Sequence, residues 1–145
     1  MHTGKWRAWD PDSLPSNLDV GLASPTAVKF GTQSHFPPRY RRALFILDWA
    51  YGRILAVHMQ PNGASYSCQS ETFVRGRPLN VTDLAFGPKG AMYFVIGGRR
   101  TQSALYRVSY VGPRLEEPPP SNVDLQRKRL AATARAIRRR LEAFG

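Results

Sequence analysis

The sequence predicts a mainly β protein, a partial β-propeller of about two blades followed by a C-terminal α-helix. Three observations predict it. Short apolar runs alternate with polar residues between Pro25 and Tyr110, the same order of runs occurs twice, and a proline-rich break then gives way to apolar residues at helical spacing.

The repeat is legible residue by residue. Thr26-Ala27-Val28-Lys29-Phe30-Gly31 realigns with Thr82-Asp83-Leu84-Ala85-Phe86-Gly87, and Ala43 to Leu47 realigns with Ala91 to Val95. Ile54 to Val57 matches Ala104 to Val108 more loosely. A unit of a few strands recurring at roughly 40 to 50 residues is the spacing of propeller blades. Residues 1–24 precede the first unit as an extended lead-in, rich in Pro, Asp and Ser, with Trp6 and Trp9 as its bulky anchors.

The first unit predicts strands over Thr26 to Phe30, Ala43 to Trp49, Arg53 to Gln60 and Ser65 to Phe73, separated by the turn segments FPPRY, AYG and PNG. Asn62-Gly63 is a hairpin signal, because both residues tolerate positive φ. The second unit predicts strands over Thr82 to Phe86, Ala91 to Ile96 and Ala104 to Tyr110, and stops one strand short. GGRRTQS reads as an open loop in which the Gly pair makes the reversal. Leu44, Ile46, Tyr93 and Val95 are the alternating residues expected to pack one unit on the other. Together the two units fill residues 25–112.

Residues 113–120 form a linker that its three consecutive prolines keep extended. Residues 121–145 then predict a basic amphipathic helix. Ser121 or Asn122 is its N-cap, and Leu130, Ala134, Ile137, Leu141 and Phe144 fall on one face. That face needs a cover, either the β units or further helices beyond Gly145.

Composition sets the bounds. The chain has 145 residues, 42% of them hydrophobic, enough for one ordinary core. No apolar run is long enough to span a membrane, and MHTGKWRAWD lacks the apolar stretch of a signal peptide. One cysteine, Cys68, excludes an internal disulfide and a CxxCH haem attachment. Of the net charge of +11, residues 121–145 contribute +5, with Arg127, Lys128, Arg129, Arg135, Arg138, Arg139 and Arg140 against Asp124 and Glu142, and the remaining +6 is spread over the first 120 residues. A basic groove with interleaved aromatics is not evident elsewhere, so nucleic acid is not an expected partner.

Five residues are candidates to face a ligand. Asp48 and Trp49 end a strand, Asp83 follows the start of an inner one, and Arg99 and Arg100 sit in a loop. Propellers build sites from such positions. Each has a structural alternative: the aspartates can fix turns by accepting backbone N–H bonds, and the arginines can be solvated. His35 and His58 lack HxxxH or HxH spacing, so no metal site is expected. Cys68 reads as a small filler rather than a nucleophile.

The segments SPTAVKFG, FPPRYRRALFILDWAYGRILAVHMQPNGASY and PLNVTDLAFGPKGAMYFVIGGRRTQSALYRVSYVG together resemble the propeller of quinoprotein glucose/sorbosone dehydrogenase-like proteins. The nearest branch is that of planctomycete-type membrane-bound dehydrogenase or haem-binding domain proteins. The resemblance implies a six-bladed propeller, of which this chain would be a fragment, followed by a helical region and a haem c domain. It implies a periplasmic or cell-envelope location, a carbohydrate substrate, and pyrroloquinoline quinone (PQQ) held by a lysine and two arginines. Ala50, Asn80 and Thr82 stand in those places here, so neither a cofactor site nor a catalytic residue is expected within this segment. The function expected is that of a propeller segment from a carbohydrate oxidoreductase, inactive alone. The alternatives are a non-catalytic interaction scaffold and a polyanion binder using the helix.

Overall fold

The computed structural model describes residues 16–143; Trp6, Trp9 and Phe144 lie outside them. Among the described residues seven strands form two open antiparallel sheets in chain order. Strands β1 (Pro25–Phe30), β2 (Leu44–Asp48), β3 (Arg53–Asn62) and β4 (Ser65–Arg75) make the first. Strands β5 (Val81–Phe86), β6 (Met92–Gly98) and β7 (Thr101–Val108) make the second. Neither sheet closes on itself. The fold is mainly β, with the one long helix after the sheets.

Local sequence explains the connections. Gly63 takes φ 54° at the first position of the two-residue β3–β4 turn, the place where such a hairpin favours glycine. The long β1–β2 connection carries a 3-10 turn (Gly31–Gln33) and a one-turn helix α1 (Pro38–Arg41), where FPPRY suggested turn alone. Proline at N1 presets the helical φ. The connection also delivers Phe36 to the interior, 5.4 Å from Phe73 and 6.3 Å from Phe45 between ring centres.

The core lies between the sheets and uses the opposite alternation from the one expected. Phe45, Leu47, Ile54 and Ala56 of the first sheet are fully buried against Leu84, Met92, Phe94 and Ile96 of the second. Leu44 and Ile46 are instead half-buried on the other face of the first sheet, while Tyr93 and Val95 occupy the other face of the second. Period 2 was correct and its phase was not, because both faces of β2 and β6 are apolar. Burying each large side chain contributes about 1.5 to 3 kcal/mol, so the Phe45–Leu47–Ile54 cluster is a main fastening of the two sheets.

The edge strands β1 and β5 adjoin, and the Thr26 hydroxyl donates to the Val81 carbonyl at 2.8 Å. Farther out, the His35 N–H donates to the Gly90 carbonyl at 2.9 Å. The sheets are thus tied at several points besides the apolar core.

Residues 113–120 have no regular structure, and α2 (Asn122–Glu142) follows. Ser121 caps it by accepting the Asp124 N–H at 3.1 Å. The helix touches the β3–β4 hairpin by a side the sequence did not single out. Ala131 is buried, Arg138 donates to the Ala64 carbonyl at 2.8 Å, and the Arg135 guanidinium lies 5.3 Å from the Tyr66 ring centre. Leu130, Ile137 and Leu141 remain 66%, 55% and 67% exposed. At these three positions the sheets do not supply the cover that was expected from the β units or from further helices.

Candidate functional site

The end of β2 and the end of β6 meet beside the adjoining edge strands β1 and β5. After Asp48 the chain reverses through residues 49–52, and Gly52 closes the loop at φ 58°, where a Cβ would come within 2.7 Å of the Gly76 carbonyl oxygen. The tight closure leaves Trp49 at the edge of the inter-sheet junction. Its indole N–H donates to the Gly97 carbonyl at 2.9 Å, and its own carbonyl accepts from the Asn80 amide at 3.1 Å. The Gly97 N–H in turn donates to the Asn80 carbonyl at 3.0 Å. The ring is therefore fixed by the second sheet although the first sheet carries it.

Arg99 completes the arrangement. Gly98 pairs with Thr101, so Arg99 and Arg100 alone form the β6–β7 turn, with φ 48° and 66°. The Gly pair does not make the reversal as expected: Gly97 sits in a register shift between Ile96 and Gly98, and TQS already belongs to β7. Arginine in the left-handed region is disfavoured by its Cβ. Here it brings the Arg99 guanidinium to 5.4 Å from the Trp49 ring centre. A recess of about 430 Å³ opens beside the pair, lined by Ser24, Thr26, Ala50, Thr82 and Gly98 as well.

Of the five candidates, the structure brings two together. Asp48 is 1% exposed, accepts the Arg53 Nε–H at 2.8 Å and the Ser24 N–H at 3.0 Å, and so holds strand ends rather than facing a ligand. Asp83 is exposed on the outer face of β5, pairs across from Val95, and accepts the Leu84 N–H at 2.7 Å. Arg100 is exposed on the turn and does not line the recess. None of these three lines the recess. Trp49 and Arg99 remain.

Sequence spacing missed a second polar cluster. Glu71 on β4 receives His58 Nε2 from β3 and Arg39 Nη2 from α1, each at 2.9 Å. The hydrogen bond from His58 is the main cause holding the Glu71 carboxyl below its ordinary range, with smaller help from Tyr40 and Arg39. This cluster borders a cleft of about 460 Å³ also lined by Arg42, Arg127, Lys128 and Asp124. Much of its charge is satisfied internally, since Arg42 pairs with Glu117 and Arg127 bonds Gln60. No local motif could have found it, because its members come from three elements. Cys68 is partly buried, and burial pushes its thiol up, away from a reactive thiolate. Among the described residues no group of three His, Cys, Asp or Glu could hold a metal, and no helix is long and apolar enough to cross a membrane.

Comparison with family models, with curated proteins and with solved structures found no match to this chain. The recess can nonetheless be tested against the quinone that the resemblance implies. Ala50 and Thr82 line it and the Asn80 amide is committed to the Trp49 carbonyl. An anionic quinone needs several cations around its carboxylates, and among the described residues Arg99 is the one cation in the lining. The residues present do not fit that group.

Proposed function

We propose that the two sheets are adjoining blades of a six-bladed, sugar-dehydrogenase-like propeller, and that this segment binds carbohydrate at their junction without oxidising it. The consecutive antiparallel units, the adjoining edge strands and the repeat support the blade reading. The observation that carries the binding reading is the Trp49 ring, fixed at its N–H by Gly97 and crossed by Arg99 beside the recess. A rigid aromatic face suits the apolar C–H face of a sugar ring, and a guanidinium suits a carboxylate or vicinal hydroxyls. Among the described residues no general base lines the recess: Asp48 is buried in its pair with Arg53, and His58 borders the other cleft.

Saturation-transfer NMR on the purified chain, with neutral hexoses and uronic acids, tests this. The expected result is weak binding that favours the uronic acid, disappears in Trp49→Ala and loses its preference for the acid in Arg99→Gln. Absence of transfer from every sugar, or equal transfer in Trp49→Ala, overturns the reading.

A further inference from the structure

We infer that the open face of the β5–β7 sheet docks the open face of the β1–β4 sheet of a second copy of this chain, head to tail. The internal repeat makes this specific. In the contact inside the chain, Phe45, Leu47 and Ile54 of the first sheet form one apolar patch, in which Leu47 pairs with Ile54 across β2 and β3. The second sheet repeats that patch as Tyr93, Val95 and Leu105, in which Val95 pairs with Leu105 across β6 and β7. The first patch is fully buried. In the second, Val95 and Leu105 are 37% and 66% exposed.

The complementary face is repeated too. Phe45, Leu47 and Ile54 are received by a surface that includes Leu84, Phe86, Met92 and Phe94. By the same alignment its counterparts on the first sheet are Val28, Phe30, Leu44 and Ile46, which share one face by their strand pairing. Val28 and Phe30 are 59% and 51% exposed, whereas Leu44 and Ile46 are half-buried and their partners Val57 and Leu55 on the same face are buried, so the open part of this face is its β1 side. The exposed patch on β6 and β7 and the exposed β1 side of the first sheet thus repeat parts of the two faces that meet within the chain. A large exposed apolar face on a sheet marks an interaction surface, and here the molecule's own interior supplies the template for its occupant. Arg107 stands where Ala56 stands in the buried patch, giving the open version a charged rim of the kind reversible interfaces carry.

Such a contact is heterologous, because each chain offers one face and receives on the other, and copies add into a ring or an open series. Sugar binding is independent of it, since neither face contains Trp49 or Arg99. Sedimentation of the full chain over a concentration series up to roughly 100 μM, a range that reports weak association, should show masses above one chain. Leu105→Arg and Val28→Arg, each at an exposed position, should each weaken association at least about tenfold, as charge at the centre of an interface does. Mixed in equal amounts, the two variants retain one complete pair of faces and should form a heterodimer that grows no further. Ile137→Glu on the helix stripe should leave association unchanged.

A wild-type chain of single mass throughout, either sheet variant associating alone like the wild type, or a mixture without heterodimer overturns the inference. So does loss of association in Ile137→Glu, which would make the helix the seam. Far-UV circular dichroism checks that each variant folds, and Val95→Lys with Phe30→Lys repeats the exchange on the same two faces if the first pair does not fold.

Discussion

Replacing each turn arginine by glycine separates backbone strain from a side-chain role at the candidate site. Arg99 and Arg100 both have positive φ, which costs a residue with a Cβ about 1 to 2 kcal/mol. Glycine removes that cost but returns about 0.5 to 1 kcal/mol through its greater freedom in the unfolded chain. Arg100→Gly should therefore stabilise by about 0.5 to 1 kcal/mol. Arg99→Gly gains the same relief and loses the guanidinium at 5.4 Å from the Trp49 ring centre, an exposed cation–π contact of about 0.5 to 1 kcal/mol. Its net effect should be close to zero. Urea unfolding reads the difference as a midpoint gap of about half a molar for a slope near 1.5 kcal/mol/M. In a Trp49→Ala background the gap should close. Equal stabilisation by both substitutions, or a gap that persists without Trp49, would refute the coupling of Arg99 to the indole.

Asp48→Asn should destabilise by about 2 to 3 kcal/mol, since it weakens a buried charge-assisted bond, and should leave sugar binding intact; urea unfolding with the NMR assay checks both. Glu71 has a lowered pKa in the folded chain, chiefly through its bond from His58, so the stability it contributes is present above the ordinary value of 4.5 and is lost as pH falls through the lower folded value. The stability difference between wild type and Glu71→Gln should accordingly shrink as urea midpoints are followed downward from about pH 5. Gly52→Ala should cost more than about 1 kcal/mol, because φ 58° and the Gly76 carbonyl oxygen at 2.7 Å both oppose a Cβ; thermal unfolding measures it. Ser121→Ala should cost about 1 kcal/mol of helix stability through loss of the bond to the Asp124 N–H, seen as reduced signal at 222 nm.

The strands were legible because their signals are local: alternation, Gly63 at a hairpin, proline before α2. What was not legible depends on which partner each element meets. Arg99-Arg100 forms the reversal despite the adjacent Gly pair, because Gly97 is held by its N–H to Asn80 and by its carbonyl to Trp49, so the bend falls on the residues after it. Asp48 reads like a site residue from its place at a strand end, yet Arg53 is directly opposite it in the β2–β3 register and claims its carboxylate. Trp49 and Arg99 belong to different repeats, and their encounter follows from how the sheets pack. On α2, the apolar period was visible, but Ala131 and the arginine stems, not the leucines, meet the hairpin.

The phase of the alternation carries the most consequence. A strand with one apolar face must turn that face inward, so its register is fixed by sequence. In β2 and β6 both faces are apolar: Phe45 and Leu47 alternate with Leu44 and Ile46, and Met92 and Phe94 alternate with Tyr93 and Val95. Such a strand belongs to a sheet covered on both sides. Leu44, Ile46, Tyr93 and Val95, expected to join the two sheets of one chain, lie instead on the two outward faces. On the first sheet Leu55 and Val57, which pair with Ile46 and Leu44, are already buried, while Val28 and Phe30 beside them are exposed. Val95 and Leu105 on the second sheet are exposed as well, and these exposed positions are the physical reason to look for the next sheet there. Whether that sheet comes from a second copy is decided by the exchange of Leu105→Arg and Val28→Arg: two incomplete chains that pair once and stop would identify these four residues as the two halves of one recurring contact.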